Sequence, residues 1–144
     1  MGERADVVRI ARGWIGTPYR HQASLKGVGA DCLGLIRGVW RELYWVEPEA
    51  PPPYSRDWGA ADQAEPLWRA AARWLRVSEA PSVGDVLLFR MSPEGPAKHL
   101  AIQSSDEGEG AIIHAYSGRS VMETPFATSW RRRLVARFQY PEEA

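Results

Sequence analysis

The sequence predicts an α+β fold: helices first, then an antiparallel sheet of about five strands. Three observations predict it. Apolar residues recur at helical spacing in three segments before Pro81. Beyond Pro81 the texture changes to short runs of strand formers separated by Gly, Ser, Pro and Asp. The second of those helical segments is an amphipathic helix opened by Asp31-Cys32, whose two glycines suit it to lie closely on a neighbouring layer. The chain has 144 residues, which fits a single domain over residues 1–144 with a sizeable buried core.

Taken in order, residues 6–15 place Val7, Ile10, Ala11, Trp14 and Ile15 on one helix face. Gly16-Thr17-Pro18 should end that helix, since it joins a C-cap residue to a helix-breaking proline. Residues 19–30 read as a glycine-bearing loop. From Cys32 the apolar positions Leu35, Ile36, Val39, Trp40 and Leu43 form the ladder of a helix with one buried face, running to about Tyr44. Gly34 and Gly38 leave a stripe free of side chains, where another backbone can approach. Residues 47–62 hold four prolines and Gly59, too many breakers for a regular element, although Tyr54 and Trp58 are aromatic anchors of an ordered excursion. Residues 63–76 return to helical spacing through Leu67, Ala70, Ala71, Trp74 and Leu75. After a turn at residues 81–85, strands are expected at 86–89, 99–103, 111–116, 121–124 and 134–140.

The chemistry-bearing residues gather around Cys32. Asp31 is a good N-cap, because its carboxylate can accept free N–H groups of the first helical turn. The partial positive charge of a helix N-terminus favours a thiolate, so the thiol pKa is expected to fall from about 8.5 toward roughly 4 to 7. His99 opens one expected strand and His114 lies in the next, so an antiparallel hairpin lets both face one side. A cysteine at a helix start opposite such a histidine has the layout of a Cys–His nucleophile pair, with His114 placed to orient His99. Two other readings stay open: a small buried hydrophobe at Cys32, and a zinc site from Cys32, His99 and His114, which lacks any short-spaced ligand pair.

Composition narrows the function classes. Eighteen basic and eighteen acidic residues balance, and the one concentrated basic run, Arg131-Arg132-Arg133, reads as a solvated strand edge, so nucleic acid is not an expected partner. A single cysteine excludes an internal disulfide. No apolar run reaches the roughly 20 residues of a membrane span, and no secretory signal is evident.

Five segments occur in a telling order: Thr17-Pro18-Tyr19-Arg20-His21-Gln22-Ala23, Asp31-Cys32-Leu33-Gly34-Leu35, Gly84-Asp85-Val86, His99-Leu100-Ala101-Ile102 and Ile112-Ile113-His114-Ala115. Together they resemble the NlpC-type cysteine peptidases, a papain-like family that cleaves bacterial cell-wall peptides, and most closely the versions encoded with phage tails and gene transfer agents. The resemblance implies a papain-like fold with Cys32 as nucleophile, His99 as general base and then acid, and His114 as the residue orienting it. It implies that the Tyr19 hydroxyl helps the Cys32 N–H hold the oxyanion, beside Asp31 at the head of the helix. Leu33 stands where the family usually has Ser, and Ala101 where it usually has Gly; packing near the cleft is expected to differ.

The implied activity is hydrolysis of a peptidoglycan stem peptide, at the bond between D-glutamate and a diamino acid, through an acyl-enzyme on Cys32 and without a metal or organic cofactor. The alternatives are a non-catalytic module of a phage-like tail tip, and an amidase or acyltransferase on another substrate. With no signal peptide, the domain is expected to be made in the cytoplasm and delivered to the wall within a tail-like particle. Tail-tip or baseplate proteins would then contact the aromatic patch near residues 51–58.

Overall fold

The computed structural model describes residues 4–47, 65–116 and 118–141. The excursion at residues 48–62, with Tyr54 and Trp58, lies outside them. Helix α1 spans Arg4–Arg12 and is followed by the two-residue strands β1 (Ser24–Leu25) and β2 (Gly29–Ala30). Helix α2 is Cys32–Tyr44 and α3 is Pro66–Trp74. Then come β3 (Arg76–Val77), β4 (Val86–Arg90), β5 (Ala97–Ser105), β6 (Ala111–Ala115), β7 (Val121–Pro125), the short helix α4 (Thr128–Arg131) and β8 (Leu134–Gln139).

The main sheet has six strands in the order β3-β8-β4-β5-β6-β7, every neighbouring pair antiparallel. It therefore exceeds the expected five by one. The extra strand, β3, is a two-residue edge whose residues are both exposed, too short to show any alternation. β4 to β7 form the expected meander, while β8 crosses back to pair with β4 on the other side.

Alternation along these strands divides the core in two. Val86, Leu88, Leu100, Ile102, Ile113, Ala115 and Val121 pack with α1, α2 and α3 in the larger cluster, which includes Cys32. Leu87, Phe89, Ala101, Ile112 and Phe126 form a smaller cluster on the opposite face, with Trp130 and Leu134 against it.

Three expectations change. α1 stops at Arg12 rather than at Gly16, and tighter turns such as Trp14 N–H to Ala11 C=O carry the chain to Thr17. This buries Trp14 but leaves Ile15 43% exposed, off the helix face assigned to it. α3 begins at Pro66, which suits a first helical position because its missing N–H would have no partner there. The Arg131–Arg133 run precedes β8 instead of edging a strand: Arg131 ends α4, donates from Nε to the Phe126 carbonyl at 3.0 Å and stacks 4.0 Å over the Phe126 ring.

The stripe of Gly34 and Gly38 is used, but not by the sheet. At Gly34 the approaching backbone is that of Ala23 in the loop before β1, and at Gly38 the Trp14 ring fills the space. Among the described residues no helix is long and apolar enough to cross a membrane.

Candidate active site

The site is assembled where α2 begins. Asp31 caps the helix as expected: Oδ1 accepts the Gly34 N–H at 2.7 Å, and Oδ2 accepts the Gln22 N–H at 2.7 Å. The carboxylate thus fastens the loop before β1 to the helix start, and His21 Nδ1 lies 3.9 Å from Oδ2. An isolated bridge aligns Tyr19 with Ala30, with Ala30 N–H donating to the Pro18 carbonyl at 3.0 Å. A residue thirteen positions before the cysteine in sequence is thereby brought beside the chain that leads into it.

Cys32 reaches β5 through a gap in the ladder. β4 pairs with β5 as far as Arg90 and Ala97, whereas β6 leaves β5 after Ile102 and Ile113. Among the described residues, the β5 edge around His99 thus lacks a strand partner on that side. The thiol takes the vacant position: Sγ lies 3.9 Å from the Lys98 carbonyl, and the Leu100 N–H is directed at the sulfur. The N–H groups of Cys32 and Leu33 point toward it as well.

His99 and His114 face one side, as the hairpin argument expected. His99 Nε2 and His114 Nδ1 are 2.8 Å apart, and His114 Nε2 is 3.0 Å from Thr124 Oγ1 on β7. Both histidines are buried, on the face of the smaller cluster. The two nitrogens that meet are aimed at each other rather than at a common ion, which argues against the zinc reading. Among the described residues no group of three or more His, Cys, Asp or Glu side chains could hold a metal.

The electrostatics overturn the expectation of a low thiol pKa. Burial, and then the Asp31 charge, push Cys32 up from 9.0 to about 12, outweighing the N–H groups around it. Burial, and then the His114 charge, lower His99 from 6.5 to about 3. With the thiol raised and the imidazole lowered, both groups are neutral at rest. Alkylation of Cys32 by iodoacetamide is therefore expected to slow steadily as pH drops from about 9 to about 6. A rate that stays fast below neutral would reveal a thiolate–imidazolium pair instead.

The histidines also couple the site to stability. His114 is lowered by burial to about 4, so the fold favours the neutral form of both rings. That contribution is fully present above 6.5, the ordinary imidazole value, and is lost as pH falls toward 4 and then 3. The melting temperature is expected to decline across this acid range. Calorimetric scans at a series of pH values check it, and His114→Asn should flatten the decline.

Sequence reasoning missed Thr124 and Trp130. Thr124 shares its strand face with Met122, the register partner of His114, so a register for β7 would have found it. Trp130 sits on a four-residue helix that carries no periodic signal; its ring centroid is 5.2 Å from that of His99.

No family model matches the sequence, and no curated protein does. Solved structures do match. The NlpC/p60 domain of the peptidoglycan hydrolase SagA is 22% identical, with a TM-score of 0.63 over 95% of this chain and 98% of that one. A lipoprotein-like protein of the NLP/P60 family from Staphylococcus aureus is 19% identical, with a TM-score of 0.61 over 99% of this chain and 43% of that one. An NLPC/P60 family protein from Bacillus cereus is 18% identical, with a TM-score of 0.64 over 96% of this chain and 40% of that one. The chain thus spans about two fifths of the length of the last two. With its capped Cys32 helix laid against an antiparallel sheet, the chain has the papain-like α+β fold of NlpC/P60 domains.

Proposed function

We propose that this domain is a cell-wall hydrolase that cleaves an amide bond of peptidoglycan stem peptides, between D-glutamate and a diamino acid, through an acyl-enzyme on Cys32. One observation carries the reading: the Cys32 thiol lies against the β5 backbone on either side of His99, while His99 is tethered through Nε2 to His114.

The tether selects the tautomers. For His99 to accept a proton at Nδ1, its Nε2 must carry hydrogen and donate to His114 Nδ1; His114 Nε2 then donates to Thr124 Oγ1. Because thiol and imidazole are both neutral at rest, the proton passes from Sγ to His99 Nδ1 as the sulfur attacks the carbonyl carbon. The oxyanion is held by the Cys32 N–H and the Tyr19 hydroxyl, and Asp31 keeps the helix start and the Tyr19 loop together. Collapse breaks the C–N bond, with His99 returning the proton to the departing amine. Water, deprotonated by His99, then attacks the acyl carbon; the C–S bond breaks, the acid leaves, and His99 returns the proton to the Cys32 sulfur.

Incubation with purified sacculi, followed by mass analysis of soluble fragments, tests this. Fragments ending at D-glutamate support the reading, and intact stem peptides overturn it. The resting thiol, hydrogen-bonded to Lys98 and pushed up to about 12, favours a second reading: a non-catalytic module of a tail tip with a vestigial Cys/His set. Intact sacculi are the result that reading expects.

A further inference from the structure

Four rings form a compact tetrahedron beside the site. His99, His114, Tyr116 and Trp130 are mutual neighbours, with centroid distances between 5.1 Å (His99–His114) and 6.1 Å (His114–Tyr116). Phe89 adds a contact from the core, 5.1 Å from Trp130 and 6.0 Å from His99. Trp130 thus touches every other ring in the group. It lies over His99 with the rings tilted by 30°, and meets His114 edge to face at 86°.

The hydrogen bond between the two histidines restrains His99 at one nitrogen and leaves the ring free to rock about that bond. Rocking is resisted by whatever packs on the ring's face, and there Trp130 lies closer than Phe89. The indole is delivered by α4, which has no side-chain cap. What fastens α4 is Arg131, through the carbonyls of Phe126 and Glu109 and the Phe126 ring, with Arg133 placed 5.7 Å over the indole.

We propose that Trp130 is a positioning residue for the histidine pair, acting through His99 by holding its ring in the orientation in which Nδ1 can take and return a proton at Cys32. This rests on the reading of His99 as the base. A displaced base weakens the chemical step while leaving substrate contacts in place, so Trp130→Ala should lower kcat by about tenfold to a hundredfold with little change in KM. Trp130→Phe, which keeps a flat ring on His99, should recover most of the loss.

The experiment compares wild type, Trp130→Ala and Trp130→Phe on a soluble stem peptide of L-alanyl-D-glutamyl-diamino acid, alongside the imidazole nitrogen NMR spectrum of each protein. The NMR arm needs no turnover. In wild type, distinct protonated and unprotonated nitrogens are expected for both rings. Trp130→Ala should average them, and Trp130→Phe should restore them. An unchanged pattern in Trp130→Ala, or a phenylalanine variant no better than alanine in either readout, overturns the proposal. Wild type that leaves the peptide intact while its imidazole spectrum responds to Trp130 overturns the hydrolase reading and leaves the positioning role standing.

Discussion

Replacing Cys32 by Ala is expected to reduce release of stem-peptide fragments from sacculi by roughly 10⁴-fold or more, the loss typical of removing a covalent nucleophile. The substitution is small for the fold. Cys32 is 9% exposed within the larger core cluster, and its sulfur makes a long contact with Lys98, so little packing goes with it. His99→Gln should be similarly inactive, since it removes the proton acceptor while keeping a polar group beside His114. Nucleophile and base act as a unit, so the double variant should be no worse than either single one. Fragment yield by mass spectrometry and circular dichroism of the variants are the two measurements needed. A folded Cys32→Ala protein that still releases fragments would remove the acyl-enzyme from the account.

Gly34→Ala should produce the largest loss of stability from a single methyl group. Its Cβ would stand 1.8 Å from the Ala23 carbonyl oxygen and 2.9 Å from the carbonyl carbon, and both atoms are backbone. Relief is hard to find. The same turn is tied down by Ser24 Oγ donating to the Gly34 carbonyl at 2.6 Å, and by the Asp31 carboxylate on both sides of the contact. The loop must therefore move as a body, at a cost of roughly 3 kcal/mol, the upper end of the usual overpacking range. For a chain of this size that lowers the melting temperature by roughly 10 °C. Gly38→Ala should cost less, although its Cβ would meet the Trp14 ring at 2.1 Å, because a side chain can turn aside where a backbone cannot. Thermal melts that place the two variants in the opposite order would show that the loop yields more easily than Trp14. Activity should follow stability at Gly34, since the displaced loop also carries Tyr19.

The position of Cys32 at a capped helix start was legible in the sequence, because capping and amphipathic spacing are local: Asp31 and the run from Leu35 to Leu43 decide them within a few turns. The same holds for β4 to β7, whose runs of strand formers lie between turn residues, and for the shared orientation of His99 and His114, which follows from strand alternation. The shortest elements were not legible. β1, β2 and β3 are two residues each, and α4 is four, so none carries a period that could be read.

The charge state of the thiol belongs to the tertiary structure. Sequence shows the helix N-terminus that would lower its pKa, but the opposing effect comes from burial against β5, at a gap that exists only because β6 leaves the ladder after Ile113. The support of the histidine pair was also decided in three dimensions. Thr124 and Trp130 are ten and sixteen residues beyond His114, and only the register of β7 and the fastening of α4 bring them onto one imidazole. Sequence determined which residues could do chemistry and which local element would hold each; long-range packing, which no local pattern encodes, decided their distances and protonation states.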